Sequence, residues 1–259
     1  MSNNSVISIS DLKMKYSEEY VLKGIDLQIE PGQIIGYIGP NGAGKTTTIK
    51  VLLGMIDNFE GKVEIFGQDI TNGDIEFKKK IGYVPEGGEI YETLTGQEYI
   101  EFIGKIYGLE DDVAATRGRK MAGFFSIEET LGDRISSYSK GMKQKLLIIT
   151  ALIHNPQIII LDEPLNGLDA NSVLVFKEIL SKLAAAGKTI FYSSHLMDVV
   201  EKISNRIILI SEGQIIADGT FEELKTLSEK GSLEGIFNEL TGFHEHEQIA
   251  KKIIETLEN

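Results

Sequence analysis

A glycine-rich segment near the start of the chain has the residue types and spacing that bind a polyphosphate. Residues 39–46 read Gly-Pro-Asn-Gly-Ala-Gly-Lys-Thr and fit the pattern G-x-x-x-x-G-K-[ST], between a predicted strand and a predicted helix. The glycines allow a tight loop with inward-pointing N–H groups, and the helix adds a partial positive charge at its N-terminus. We expect Lys45 to reach the β- and γ-phosphates and the Thr46 hydroxyl to bind Mg²⁺. Thr47 is a further expected phosphate contact.

Two acidic residues and a histidine follow apolar runs later in the chain. Asp162 and Glu163 come directly after the run Ile158-Ile159-Ile160-Leu161. Asp162 supplies the hard oxygen that Mg²⁺ needs near a polyphosphate, and Glu163 is the candidate general base for an attacking water. His195 ends the predicted strand "TIFYSSH", and ligands of α/β sheets bind at such strand ends. The sequence therefore predicts that His195 bonds to the γ-phosphate or to the water.

The composition limits the classes of function. The net charge is −13, which argues against general nucleic-acid binding because that relies on Lys and Arg neutralising phosphates. The chain has no cysteine, so disulfides and thiolate metal sites are excluded, and this fits a cytosolic protein. No run approaches the ~20 apolar residues that cross a bilayer, and the first ten residues do not resemble a secretory signal. A membrane span would have to come from another chain.

The hydrophobic pattern predicts an α/β fold in three parts. The first segment alternates apolar and polar residues in "VISISDLKMKY" and "GIDLQIEPG", which is typical of strands. "QIIGYIG" is a buried strand, "TTTIKVLLGMI" a helix and "GKVEIFGQDI" a strand. Residues 87–154 are mainly helical, and later strands alternate with helices, which predicts a mostly parallel sheet covered on both faces. The tail from Phe221 is helical, with Thr220 and Glu223 capping its first helix.

One predicted helix in the middle region carries an apolar stripe. Thr95 and Glu98 form a capping-box pair at its start. The stripe that follows lies on one helical face and comprises Tyr99, Phe102, Ile103, Ile106 and Tyr107. We interpret it as a core-facing stripe. The alternative is that part of it lines a groove for a partner helix.

Taken in order, these motifs resemble the ATPase subunit of an ATP-binding cassette (ABC) transporter, over residues 6 to about 242. By this resemblance, Tyr16 stacks on adenine, with Tyr20 as the competing candidate, and Glu86 occupies the Q-loop position as a Mg²⁺ ligand. "IIILDEP" resembles the Walker B segment, "LNGLD" the D-loop, and His195 the switch histidine. The nucleotide-binding residues that the resemblance implies in the Walker A loop are Gly39, Asn41, Gly42, Ala43, Gly44, Lys45, Thr46 and Thr47.

"YSKGMKQ", residues 138–144, occupies the position of the family's signature motif. In the family two cassettes pack head to tail, so the resemblance implies that Ser139 and Gly141 contact the γ-phosphate held by a second subunit. From the residues alone, an ordinary N-cap of a core helix is the favoured interpretation of Ser139. The family's Leu-Ser-Gly-Gly-Gln here has Lys140 for the first Gly and Met142 for Gln, and Glu86 replaces the Q-loop Gln. These variants resemble the bacterial exporter branch.

The resemblance implies a P-loop NTPase core with a mostly parallel sheet, an N-terminal antiparallel β subdomain and a helical signature subdomain. It divides the chain into an ABC-type ATPase domain, residues 1–242, and a C-terminal helical tail, residues 243–259. The helical subdomain, about residues 87–154, is inserted in the α/β core.

The expected cofactors are ATP and Mg²⁺, and the expected function is ATP hydrolysis that energises export by a separate integral membrane permease subunit. A second ATPase subunit, a copy or a close paralogue, completes the site when ATP closes the dimer, and no nucleic-acid partner is expected. We expect a cytoplasmic protein, peripheral on the inner face of the cell membrane. The alternatives are a soluble ABC-type ATPase acting on ribosomes or DNA, and a non-hydrolysing regulatory subunit, against which Glu163 and His195 argue.

Overall fold

The computed structural model describes residues 5–87, 90–195, 197–227, 231–241 and 254–257 of the 259-residue chain. The strands are β1 (Ile7–Lys15), β2 (Tyr20–Ile29), β3 (Ile34–Ile38), β4 (Glu60–Ile65), β5 (Gln68–Asp69), β6 (Ile81–Val84), β7 (Ile158–Asp162), β8 (Thr189–Ser193), β9 (Arg206–Ser211) and β10 (Gln214–Gly219). The helices are α1 (Lys45–Leu52), α2 (Gly96–Ile106), α3 (Asp111–Phe124), α4 (Lys140–Leu152), α5 (Ala170–Ala185), α6 (Met197–Ile203), α7 (Phe221–Lys225) and α8 (Leu233–Thr241).

The N-terminal strands form a four-stranded antiparallel sheet with the order β2-β1-β4-β5. Ile7 pairs with Ile29 on one side and with Ile65 on the other, so that apolar side chains of three strands are aligned. All three side chains are fully buried, in a hydrophobic cluster that also includes Ile49 of α1. The alternation of apolar and polar residues in these strands therefore builds one face against the core.

A six-stranded sheet with the order β10-β9-β3-β8-β7-β6 forms the centre of the molecule. All neighbouring strands are parallel except the β10–β9 pair. Every residue of β3, β7 and β8 is buried, which explains their continuous apolar sequences. Because β8 lies between β3 and β7, the carboxyl ends of these three strands meet at one edge, where Ser193 is in register with Tyr37 and Asp162.

Helices α2, α3 and α4 pack against one another between β6 and β7 in the sequence. The Thr95 hydroxyl accepts a hydrogen bond from the Glu98 N–H, and the Glu98 carboxylate accepts one from the Thr95 N–H. Thr220 and Glu223 form the same arrangement at α7. Both predicted capping boxes are confirmed, and so is the predicted fold class.

The structure differs from the sequence predictions in two places. The helix predicted over "TTTIKVLLGMI" ends at Leu52, because Gly54 adopts a left-handed conformation (φ 58°) that terminates it. On α2, Tyr99 is buried, but Phe102 and Ile106 are 40% and 58% exposed. The core-facing interpretation is therefore wrong for these two residues. Of the predicted C-terminal tail, only residues 254–257, which are helical, lie within the described part of the chain.

Candidate nucleotide-binding and catalytic site

The loop between β3 and α1 lines a cavity of about 480 Å³ at the carboxyl edge of the central sheet. Gly44 has φ 108°, a conformation that favours glycine, and it directly precedes the first turn of α1. At Gly39 a Cβ atom would lie 2.3 Å from the carbonyl oxygen of Ile210, so a side chain does not fit there. These two glycines allow the loop to turn closely over the end of β3 and to lead into the helix.

Lys45 folds back onto its own loop. Its Nζ donates hydrogen bonds to the carbonyl oxygens of Gly39 at 2.7 Å and Pro40 at 3.1 Å. Burial lowers the pKa of Lys45, and the nearby carboxylates of Glu163, Asp162 and Glu86 oppose that shift. The ammonium group thus faces a cavity whose other charges are negative, and an anionic phosphate there would give it a stronger partner than two carbonyls.

Asp162 lies at the end of β7, with 2% of its surface exposed, and both its carboxylate oxygens accept hydrogen bonds. The hydroxyl of Ser193 donates to Oδ1, and the hydroxyl of Thr46 donates to Oδ2 at 3.3 Å. Thr46 and Asp162 therefore place two hard oxygen ligands side by side on the wall of the cavity. This pair fits the coordination chemistry of Mg²⁺, for which phosphate oxygens and water would supply the remaining ligands.

Glu163 is held by three contacts with the end of β8. Its N–H donates to the carbonyl oxygen of Ser193 at 3.1 Å, and its Oε1 lies 2.9 Å from Nδ1 of His195. The hydroxyl of Ser194 donates to Oε2 at 3.3 Å. Glu163 also has a φ of 49°, a left-handed conformation that is costly for a residue with a side chain. The surroundings therefore fix the direction of this carboxylate, which lines the cavity together with His195.

The two tyrosines considered for adenine stacking differ in their contacts. The Tyr16 hydroxyl lies 3.4 Å from Oγ1 of Thr47, so the tyrosine reaches the phosphate-binding loop while its side chain stays exposed. The Tyr20 hydroxyl donates to Glu60 at 2.5 Å, and Lys15 lies over its ring. Tyr16 is the one that remains available for a planar ligand beside the loop.

Ser139 and Gly141 are not among the residues that line this cavity. The Ser139 hydroxyl accepts a hydrogen bond from the Met142 N–H at 3.2 Å and caps α4, which confirms the N-cap interpretation. At Gly141 a Cβ atom would lie 2.6 Å from the Gly167 carbonyl oxygen. The contact of these two residues with a nucleotide held by a second subunit stays a prediction. Glu86 does line the cavity, together with residues of the Walker A loop.

Sequence reasoning missed Ser193 and Ser194, which are both buried and each bond to one of the two acids. A signal was present, because two hydroxyl side chains directly precede His195 at the end of a strand. The contacts themselves depend on the register between β7 and β8, which pairs Asp162 with Ser193.

Comparison with known proteins identifies the family. Residues 22–166, more than half of the chain, match the sequence model described as "ABC transporter". The chain belongs to the ABC transporter family. The linearmycin resistance ATP-binding protein LnrL of Bacillus subtilis is 36% identical over 219 residues, covering 85% of this chain and 70% of that protein. The ABC transporter ATP-binding protein NatA of Bacillus subtilis is 33% identical over 238 residues, covering 90% of this chain and 96% of that protein.

A solved structure of an ATP-binding subunit of an ABC transporter superposes on this chain with a TM-score of 0.86. The two are 29% identical, and the superposition covers 92% of this chain and all of the other. A nucleotide-free ATP-binding cassette superposes with a TM-score of 0.76 at 23% identity, and this second likeness concerns the fold alone.

The chain is thus an ATP-binding subunit of an ABC transporter, an ATPase that energises a membrane permease. Within the part of the chain that the structure describes, no helix is both long enough and apolar enough to cross a membrane.

Proposed function

We propose that this ABC ATP-binding subunit drives export through its permease by ATP-dependent closure against a second ATP-binding subunit. The observation that carries the proposal is the convergence of Lys45, Thr46, Asp162 and Glu163 on one cavity. Relatives support the direction of transport. The Nod factor export ATP-binding protein I of Cupriavidus metallidurans is 32% identical over 220 residues, covering 85% of this chain and 73% of that protein.

In the proposed nucleotide complex, adenine stacks on Tyr16 and the phosphates lie in the loop of residues 39–47. Lys45 exchanges its carbonyl partners for β- and γ-phosphate oxygens. Thr46 and Asp162 would hold Mg²⁺, with Glu86, which also lines the cavity, as a further ligand. When bound, Mg²⁺ neutralises charge that develops on the phosphate oxygens.

Glu163 accepts a proton from the attacking water, and His195 orients that water or the γ-phosphate. Both side chains line the cavity, and Oε1 of Glu163 lies 2.9 Å from Nδ1 of His195. Each oxygen of the Glu163 carboxylate has one of these contacts and keeps a lone pair that can accept a hydrogen bond from water. The Ser194 hydroxyl bonds to Oε2, so the carboxylate keeps an anchor when His195 turns to the water or the γ-phosphate.

The second subunit contributes Ser139 and Gly141 to the γ-phosphate. Ser139 is exposed at the N-terminus of α4, a 13-residue helix whose partial positive charge attracts an anion. Neither residue lines the nucleotide cavity of its own chain, which is consistent with a contact in trans. Closure then follows from the preference of the γ-phosphate for the closed dimer, and hydrolysis removes that preference.

An exposed aromatic and aliphatic patch on the helical region supports docking to the permease at the inner face of the cell membrane. Tyr91 and Phe102 pack edge to face, with ring centroids 5.7 Å apart, and Ile106 lies one turn further along α2. Exposed apolar side chains that cluster in this way are typical of interaction sites. This patch favours the groove interpretation for part of the α2 stripe.

The Glu163→Gln variant tests the mechanism. It should bind ATP as the wild type does, because Glu163 is not placed among the phosphate ligands, but its kcat should fall by about 100-fold or more. Phosphate release measures turnover, and equilibrium binding of a fluorescent ATP analogue is the control. Near-normal hydrolysis would remove Glu163 from the role of base.

Purification from membranes should recover an integral permease subunit, whereas recovery of ribosomes or DNA would favour the soluble alternative.

A further inference from the structure

A second cavity adjoins the nucleotide cavity and contains both positions at which the chain replaces an uncharged family residue with a charged one. Its volume is about 650 Å³, and Glu86 lines this cavity as well as the nucleotide cavity. Lys140, which stands where the family signature has a glycine, lines it from the start of α4. One added negative charge and one added positive charge therefore face the same space within a single subunit.

An ion pair already bridges this cavity. Lys143 of α4 binds the carboxylate of Glu92, which belongs to the segment that follows Glu86. Lys140 precedes Lys143 by three residues, so both lysines lie on the same side of the helix. Side chains from the Glu86 segment and from α4 are thus long enough to meet across the cavity.

Of the charged residues that line the second cavity, Glu86 and Lys140 are the two that have no ion-pair partner among the described residues. Within the described residues, neither takes part in an ion pair or a side-chain hydrogen bond. The stem of Lys140 lies beside Gly167, where a Cβ atom would approach Cγ of Lys140 to 3.1 Å. Unlike charges on the two walls attract each other more strongly as the walls approach. If the cavity narrowed, the charged groups of Glu86 and Lys140 would come into contact.

We propose that Lys140 is a positioning residue that pairs with Glu86 across this cavity when nucleotide is bound. The pair balances the charge that Glu86 adds to the nucleotide site, and it ties the Q-loop position to the signature turn of the same subunit. The two departures that add a charge, Glu86 and Lys140, are then one compensated change. The inference rests on the proposed function of Glu86 in the nucleotide complex, and it assigns Lys140 to its own chain rather than to the second subunit's phosphate.

The first test is a double-mutant cycle on turnover. Glu86→Gln and Lys140→Gln should each lower kcat by about three- to fivefold, the range of a partly exposed ion pair, and Lys140→Gln should leave the KM for ATP nearly unchanged. The double variant should be no worse than either single variant, and high salt should reduce the single-variant losses. Lys140→Arg should retain wild-type turnover. Additive losses in the double variant would overturn the pairing.

Lys143→Gln is the matched control for this cycle, because Lys143 lines the same cavity but is already paired with Glu92. Its effect should add to that of Glu86→Gln, since the two side chains do not act on each other. Coupling of equal size for both lysines would show a general charge effect of the cavity and would overturn the specific pair.

The second test measures proximity and needs no hydrolysis. The chain contains no cysteine, so Glu86→Cys with Lys140→Cys introduces the only two thiols. A short bismaleimide should link them within one subunit, with a yield that rises when a non-hydrolysable ATP analogue and Mg²⁺ are added. Glu92→Cys with Lys143→Cys is the control and should link equally well with and without nucleotide.

An unchanged yield for the 86–140 pair, or a link from position 140 to another subunit, would overturn the inference. Because cross-linking does not require turnover, it remains informative even if Glu163 proves not to be the base. A failure of the proposed mechanism and a failure of the pairing are therefore distinguishable.

Discussion

The edge of the central sheet and the surface of the helical region present their functional side chains in opposite ways. At the sheet edge, Asp162 and Glu163 are buried, and the hydroxyls of Ser193 and Ser194 at the end of β8 hold their carboxylates. On the helical region, Ser139 is exposed, and Phe102 and Ile106 present apolar surface to solvent. The first region is assembled within one chain, whereas the second has the properties of a surface that other chains complete.

This difference indicates which parts of the subunit can form their working geometry without another chain. The geometry that we propose to activate water depends on the register of two neighbouring parallel strands, so we expect it to be present in an isolated subunit. The signature turn and the α2 patch have satisfied local structure, including N-caps at Thr95 and Ser139, and both expose side chains to solvent. Substitutions there should affect partner-dependent properties and spare the fold.

Ser139→Asp gives the largest effect expected from the helical region. Aspartate is as good an N-cap as serine, so thermal unfolding should stay close to that of the wild type. Its charge would repel the γ-phosphate of the second subunit and replace a favourable hydrogen bond, so ATPase turnover should fall at least about tenfold. ATP binding to the isolated subunit, followed by fluorescence, should not change.

The control for this prediction is Ser139→Thr, which keeps both the cap and the hydroxyl. A Ser139→Asp variant that hydrolyses ATP at the wild-type rate would show that the signature turn acts only as a helix cap. The distinction between the two regions would then fail at Ser139.

Ile106→Asp should affect the permease interface alone. A charge in the centre of an apolar contact typically costs about 2 kcal/mol or more, so the affinity for the permease should fall about 30-fold. Basal ATPase activity of the isolated subunit should not change. Met55→Asp is a matched control, because Met55 is 61% exposed and lies outside the patch. Equal permease binding by both variants in a pull-down would place the docking surface elsewhere.

The phosphate-binding loop, the acids at the end of β7 and both capping boxes were predictable from sequence because each depends on residues close together in the chain. The contacts of Ser193 and Ser194 were not, since they join strands that are 31 residues apart in sequence at these positions. Periodicity identified the face of α2 that carries the apolar stripe. It did not reveal that Phe102 and Ile106 remain exposed, because the depth of burial depends on how α3 and α4 pack against α2.

Ser194→Ala should give the smallest effect, and it tests how Glu163 is held at the sheet edge. The substitution removes the hydroxyl that donates to Oε2 of Glu163 and leaves the contact between Oε1 and His195 in place. Loss of one such hydrogen bond costs about 0.5–1.5 kcal/mol, so kcat should fall by about two- to tenfold while the KM for ATP stays the same. Because Ser194 acts through Glu163, adding Ser194→Ala to Glu163→Gln should cause no further loss. Phosphate release followed over time for the wild type, the two single variants and the double variant measures this. A further loss in the double variant would mean that Ser194 acts on the nucleotide or the fold directly. Its hydrogen bond to Glu163 would then not explain its effect on turnover.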